Sequence, residues 1–441
     1  MLEFSRRRLL GTVAGLTPLL LSPFPILTPQ PSFAADTAGD GRRFFTPGVA
    51  SGDPLSDGVV LWTRLAPDPI HGGGMGREPV EVTWEIATDD KMQRIVRRGS
   101  TIATADFAHS VHVEVDGLEP ARWYWYRFRT AKEESRIGRT RTAPAPGVMA
   151  ERLRFAVGSC QSWDTGHFTA HRHLAEEDLD LFVFLGDYIY EGMPGDSDVR
   201  RSNPQDTDSL DGFRNRHAHY KSDPNLQASH AAFPWLVTWD DHEVINDYAG
   251  DNGDPATFLK LRAAAYRAYY EHMPLRRSAL PKGPDMLLYR DVAFGRLVTF
   301  DILDTRQYRT ALPCGGWRSE ACADSLSPER TITGGDQETW LYQRLRHTSA
   351  QWNVLAQQVP MMQRLIPEGQ RLVLAMDKWE GYARVAQPAA PRDRAGQDVQ
   401  PDRSLGRHPF GLGRRPQGRF RRAQVGDAGH GVRLHVNHLG W

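Results

Sequence analysis

The sequence predicts a mixed α/β fold, with an all-β, immunoglobulin-like sandwich followed by a layered domain in which strands alternate with helices. Three observations predict it. Short strand-like runs separated by turn residues fill the region from Phe44 to about Thr142. A stretch rich in Pro, Ala and Gly, Thr142 to Glu151, then reads as a linker. Beyond it, apolar strands alternate with helical segments, the pattern of packed layers.

The elements are justified in chain order. Residues 1–35 form a targeting segment rather than part of either domain. Ser5-Arg6-Arg7-Arg8-Leu9-Leu10 precedes the apolar run from Gly11 to Leu27, which ends near Ser32-Phe33-Ala34-Ala35. A charged start, a short apolar stretch and a small-residue exit mark a cleaved signal peptide. The paired arginines followed by leucines are similar to the twin-arginine signal, read by machinery that exports folded proteins. Pro18, Pro23, Pro25 and Pro29 interrupt the apolar run, so no stable membrane span is expected. The expected location is periplasmic or secreted.

The sandwich, residues 44–142, is read from Gly58-Val59-Val60-Leu61-Trp62-Thr63, Val80-Glu81-Val82-Thr83-Trp84, His112-Val113-Glu114-Val115 and Tyr124-Trp125-Tyr126-Arg127-Phe128. In the second domain, residues 152–382, strands are expected at Leu153–Val157, Leu179–Leu185, Trp235–Trp239 and Leu297–Leu303. Helices are expected at Pro255–Tyr270 and Gln337–Leu345. Charge excludes one class of function. Basic and acidic residues balance at 54 each, but the stretch from Ala383 to Trp441 holds eleven Arg and four Asp. The body before it is therefore acidic by seven charges and offers no basic face for nucleic acid.

Three strand ends carry the residues with chemistry. They are Gly158-Ser159-Cys160, Gly186-Asp187-Tyr188-Ile189-Tyr190-Glu191, and Trp239-Asp240-Asp241-His242-Glu243-Val244-Ile245-Asn246-Asp247. Strand ends are where layered α/β domains build their sites. Acids, amides, imidazole and phenol fixed there are the donors that hard metal ions take. Each cluster alone is weak, since an Asp after Gly is also a turn residue; three together point to a metal site. Cys314 and Cys322 bracket a Gly-rich loop, and the sequence leaves open whether they are bonded. Cys160 is then left over, as a small buried side chain or a thiolate ligand.

These motifs resemble the PhoD (alkaline phosphatase D) family of calcineurin-like metallophosphoesterases. So do Asp301-Ile302-Leu303-Asp304-Thr305-Arg306-Gln307-Tyr308-Arg309 and Asp377-Lys378-Trp379-Glu380-Gly381-Tyr382. The likeness runs from about Phe44 to Tyr382. It implies a metallophosphatase core of two packed sheets flanked by helices. The implied activity is hydrolysis of a small phosphate ester by metal-activated hydroxide, with ferric iron and calcium as cofactors. Carried over, Cys160, Asp187 and Tyr190 hold iron, and Asp187 also faces the second metal. Asp241 and Asn246 help bind that metal or the phosphate, and His242 sits beside the leaving group. Asp240 and Glu243 are either ligands or partners that orient His242. Arg306 contacts phosphate or forms a structural ion pair.

The stretch after Tyr382 departs from the resemblance. It has no Lys, Glu, Ile, Thr, Tyr, Met or Cys and no strand or helix period. Calcineurin-like members need a further Gly-Asp-Ile-His type strand end. Shifting the frame by one base within the Ala383 codon allows that motif at the codons for Gly406 to Phe410. A frameshift near Tyr382 is therefore expected, against the rival of an Arg-rich tail that binds polyanions. Two other functions stay open: a phospholipase D-like phosphodiesterase, and a catalytically dead surface binding protein lacking the last metal-ligand motif.

Overall fold

The computed structural model describes residues 43–192, 199–201, 206–383 and 432–436. Seven strands come first: β1 (Val49–Gly52), β2 (Val59–Arg64), β3 (Val80–Ala87), β4 (Ile95–Ala103), β5 (Ser110–Val115), β6 (Trp123–Arg129) and β7 (Gly138–Arg141). Strands and helices then alternate through β8 (Leu153–Gly158), α1 (Thr169–Glu176), β9 (Leu181–Phe184), α2 (Leu210–Lys221), α3 (Pro224–Ala232), β10 (Trp235–Val237) and α4 (Pro255–His272). The remainder comprises β11 (Arg290–Phe294), β12 (Val298–Ile302), β13 (Arg318–Ser319), α5 (Gly335–His347), β14 (Trp352–Ala356), β15 (Ile366–Glu368), β16 (Arg371–Ala375) and β17 (Val432–Val436).

A seven-stranded sheet in the order β17-β8-β9-β10-β1-β2-β5 dominates the fold. Its strands from β17 through β1 run parallel, while β1–β2 and β2–β5 pair antiparallel. Both faces of its centre are buried, and strand β9 shows how. Phe182 and Phe184 join Trp235, Tyr220 and Tyr266 in a core beneath α2, α3 and α4. Leu181 and Val183, pointing the other way, join Phe155, Val298 and Phe300. Period-two alternation of large apolar residues on a strand buried on both faces produces these two cores. The second one packs the large sheet against the three-stranded sheet β11-β12-β14. Two packed sheets with helices outside are thus present, as expected.

The first region differs in one respect from a self-contained sandwich. Strands β4-β3-β6-β7 form an antiparallel sheet, but β1, β2 and β5 belong to the large one. Val59, Leu61, Val113, Val82, Ile86, Tyr126 and Phe128 pack the two together. The join is at Gly52, paired with Trp235, where a Cβ would lie 2.4 Å from the Pro274 carbonyl oxygen. Only a glycine permits that approach. The Pro/Ala/Gly stretch also packs: Arg296 N donates to Val148 O at 2.7 Å.

Cys314 and Cys322 are disulfide-bonded. Among the described residues no helix is long and apolar enough to cross a membrane. The signal-peptide reading and the frameshift reading fall on residues outside those described, with one exception. Strand β17 lies parallel to β8, from Val432 opposite Leu153 to Val436 opposite Val157. The sequence reading placed no element there. Val-Arg-Leu-His-Val alternates like a strand, and the edge of β8 offers it unpaired backbone groups.

Lys221, the last residue of α2, is buried with Nζ 4.2 Å from the Trp62 ring and 5.4 Å from the Tyr188 ring. His230 Nε2 lies 3.4 Å away. Burial lowers its pKa from 10.5 to about 7. Between those values the unfolded chain holds a proton that the folded chain lacks, so stability rises with pH across that window. Below it the folded state carries the full cost of a buried charge. Replacing Lys221→Met is expected to raise the thermal midpoint near neutral pH by a few degrees, roughly, and to flatten its rise toward pH ~10. Equal slopes for both proteins from calorimetry at several pH values would overturn this account.

Candidate functional site

The three strand ends meet at the C-terminal ends of adjacent parallel strands of the large sheet. Strand β8 delivers Cys160, β9 delivers Asp187 and Tyr190, and β10 delivers Asp240, Asp241 and His242. The turns are tight and strained. Cys160 and Asp187 both adopt left-handed backbone angles, φ 58° and 55°, a conformation that costs a non-glycine residue ~1 kcal/mol or more. Main-chain bonds lock them: Cys160 N donates to Gly186 O and Gln161 N to Asp187 O, both at 3.1 Å.

Glu243 sits beneath these turns, only 1% exposed. Its carboxylate accepts from Asp187 N at 3.1 Å, Tyr188 N at 2.6 Å and Asp240 N at 2.8 Å. Burial, reinforced by Asp187, pushes its pKa well up. It therefore does not orient His242, one of the two roles the sequence left open for it. That contact belongs to Glu191, whose Oε2 lies 2.7 Å from His242 Nδ1. The sequence reading passed over Glu191 as a functional residue; its place at the end of the Gly186-to-Glu191 motif was the available signal.

Asp187, Asp241 and His242 each offer a ligand-type atom within 4.8 Å of the others. Asp187 Oδ1 is buried and has no hydrogen-bond partner among the described residues. Burial, then the neighbouring Asp240 and Asp241, push the Asp187 carboxyl up to about 7. A carboxylate destabilised by like charges, with a free buried oxygen, is the setting a cation relieves. The residues present thus fit a metal ion. Tyr190 donates from its hydroxyl to Asp187 Oδ2 at 3.2 Å, and burial raises its pKa strongly. Cys160 is exposed as a whole residue, yet desolvation of its thiol beside Asp187 pushes it up to about 12. Asp241 is held below its ordinary value: burial opposes this, but Arg306 and His242 prevail. For His242, burial disfavours the charge, but the bond to Glu191 and the nearby Asp241 and Asp187 raise it to about 9.

Two expected members stand apart. Asn246 is exposed, and its side-chain amide donates to Asp247 Oδ2 at 2.9 Å. Arg306 requires a correction. Its side chain is 0% exposed. Nε donates to Asp240 Oδ1 at 2.5 Å, Nη1 to Asp377 Oδ1 at 2.7 Å, and Nη2 lies 3.3 Å from Asp241 Oδ1. Of the two roles open for it, the ion pair is the one observed. Asp240 is correspondingly engaged by Arg306.

Buried acids around an unpartnered carboxylate oxygen, beside a charged imidazole at sheet-end turns, define a hydrolase-type site suited to a cation. Known proteins make the class specific. The profile for PhoD-like phosphatases matches residues 155–390, and that for the N-terminal domain of PhoD-like phosphatases matches residues 31–144. The alkaline phosphatase D of Bacillus subtilis (strain 168) is 48% identical over 392 residues, covering 86% of this chain and 67% of the relative. A solved structure described as that of PhoD superposes with a TM-score of 0.76 at 49% identity, covering 79% of this chain and 69% of the other. The chain belongs to the PhoD-like phosphatase family and is a phosphoric ester hydrolase.

Gly186 tests the packing of the turns. Its φ is 105°, and a Cβ there would lie 2.2 Å from Asp240 N. Gly186→Ala is expected to destabilise the protein by about 3 kcal/mol. Urea unfolding measures it, and a wild-type midpoint would show that the turns are not so closely apposed.

Proposed function

We propose that the chain is an exported alkaline phosphatase/phosphodiesterase that hydrolyses small phosphate esters with ferric iron and calcium. The observation that carries the reading is the buried, unpartnered Asp187 Oδ1 with Asp241 and His242 around it. Cys160, Asp187 and Tyr190 are the iron ligands in this reading. Burial and neighbouring acids raise the pKa of each, and a trivalent cation nearby would be what lowers it and favours the anionic form. Asp187 would also serve the second metal, with Asp241, and Asn246 would help hold that metal or the phosphate. Bound there, the metals neutralise phosphate oxygens and lower the pKa of water toward neutrality.

The protein's own groups supply the rest. Arg306 fixes Asp241 and Asp240 from behind, and His242 stands ready to protonate the departing alcohol. The twin-arginine-like start supports export through that machinery to the periplasm or outside the cell. Protein purified with both metals should turn over a nitrophenyl phosphate and a bis-nitrophenyl phosphate, the ratio giving the ester preference. Chelation should abolish both activities, and Asp187→Asn should reduce bound metal and lower turnover more than about a hundredfold. Metal-free protein with unchanged turnover would refute the proposal.

The same reading covers the tail: residues 383–441 stand one base out of the family's frame. Its support is the Arg-rich composition and the Gly-Asp-Ile-His that the shifted codons allow. Mass spectrometry of C-terminal peptides from the natural host decides it. Peptides matching the printed tail would exclude a frame error in the sequence.

A further inference from the structure

We infer that Glu191 is a positioning residue that fixes which imidazole nitrogen of His242 meets the substrate; the inference rests on the proposed ester hydrolysis. Glu191 Oε2 holds His242 Nδ1 at 2.7 Å, and Oε1 accepts from Asn246 N at 2.8 Å. One carboxylate therefore spans the ring and the backbone four residues farther along the same loop. Ring rotation is restricted from another side: Tyr190 lies against His242 with centroids 4.2 Å apart and planes 36° apart. Both carboxylate oxygens of Glu191 are taken by this loop, so it is not offered to a cation as Asp187 is. It follows Tyr190 directly, so one turn carries both a ligand of the proposed iron and the group that orients the proposed acid.

The chemical consequence is a fixed ring orientation, which leaves the Nδ1–H tautomer once Nε2 has given up its proton. With Nδ1–H directed to Glu191, Nε2 is the nitrogen free to face an ester oxygen. Carboxylate–imidazole pairs of this form hold a ring in one orientation without themselves touching substrate. In the step they serve, water's oxygen forms the new bond to phosphorus and the bond to the alcohol oxygen breaks. That oxygen keeps the bonding pair and takes the Nε2 proton. The proton released by water replaces it on the imidazole.

The dependence on leaving group distinguishes this role from a structural one. A nitrophenolate departs unaided, whereas an alkoxide needs the proton. Glu191→Ala should lower kcat for alkyl phosphates by roughly a hundredfold. Nitrophenyl phosphates should lose about threefold or less, with KM and bound metal unchanged. Glu191→Gln, which can still accept the Nδ1–H bond, should fall between. A second measurement is independent of turnover. In protein labelled with ¹⁵N-histidine, the His242 signal, assigned by its loss in His242→Asn, should report a bonded Nδ1–H that disappears in Glu191→Ala. An unchanged Nδ1 signal, equal rate losses for both substrate classes, or loss of metal in the folded variant would each overturn the assignment. A wild-type protein inert toward every ester would sink the phosphatase reading, while the nitrogen signal would still decide the role of Glu191.

Discussion

The three main-chain hydrogen bonds accepted by the buried carboxylate of Glu243 are the constraint on which the site depends. Two come from the turn after β9 and one from the turn after β10. Glu243 belongs to the turn after β10, and its side chain reaches beneath to the turn after β9, so a single carboxylate ties the two together. Burying such a group without donors costs several kcal/mol, whereas three N–H groups match its lone pairs. The separation of Asp187 from Asp240 and Asp241 is thereby set by backbone geometry. Gly186 is the necessary counterpart, because no side chain fits between it and Asp240 N.

On the opposite side the acids are held by cations. Arg306 reaches Asp240, Asp241 and Asp377, while Arg309 and Lys378 share Asp377 at 2.7 and 2.6 Å. Burial alone would raise Asp377, yet Arg306, Arg309 and Lys378 hold it well below its ordinary value. The guanidinium provides a planar fork that one Lys could not, since it engages three carboxylates in different directions. This explains why a residue that looked suited to phosphate is fully enclosed. Removing it would leave buried acids unpaired, the costly way to break such a network.

Much of the architecture was legible in the sequence because it is written in short-range patterns. The runs ending in Gly158, Gly186 and Trp239 are apolar strands followed at once by polar residues, and each became a strand with its turn at the site. The same local signal placed α4 and α5 within two residues at either end. What it missed depends on distant partners. Glu191 meets His242 across 51 residues, and nothing adjacent to either names the other. Strand β1, Val-Ala-Ser-Gly, is too short for a period, and its place beside β10 follows from the close approach at Gly52. Arg306 was ambiguous for a related reason: its three acids lie on two separate segments, around Asp240 and at Asp377.

Charge explains why the site is suited to a cation rather than to substrate alone. The acids split into two groups with different partners. Asp377 and Asp241 are satisfied by Arg306 and its neighbours and stay ionised. Asp187 is not: among the described residues no Arg or Lys forms an ion pair with it, His242 is the neighbour whose charge favours its ionised form, and its Oδ1 has no hydrogen-bond partner there. The fold nevertheless anchors it firmly, through a strained φ, a hydrogen bond its carbonyl accepts from Gln161 N, and its own N–H donated to the Glu243 carboxylate. A carboxylate oxygen left unsatisfied in a strained turn calls for a partner beyond the described residues, and a cation is the one its charge suits. A phosphate ester cannot, since it is itself anionic and would be repelled. Cations between Asp187 and the ester reconcile both, giving the carboxylate its partner and the phosphate its attraction.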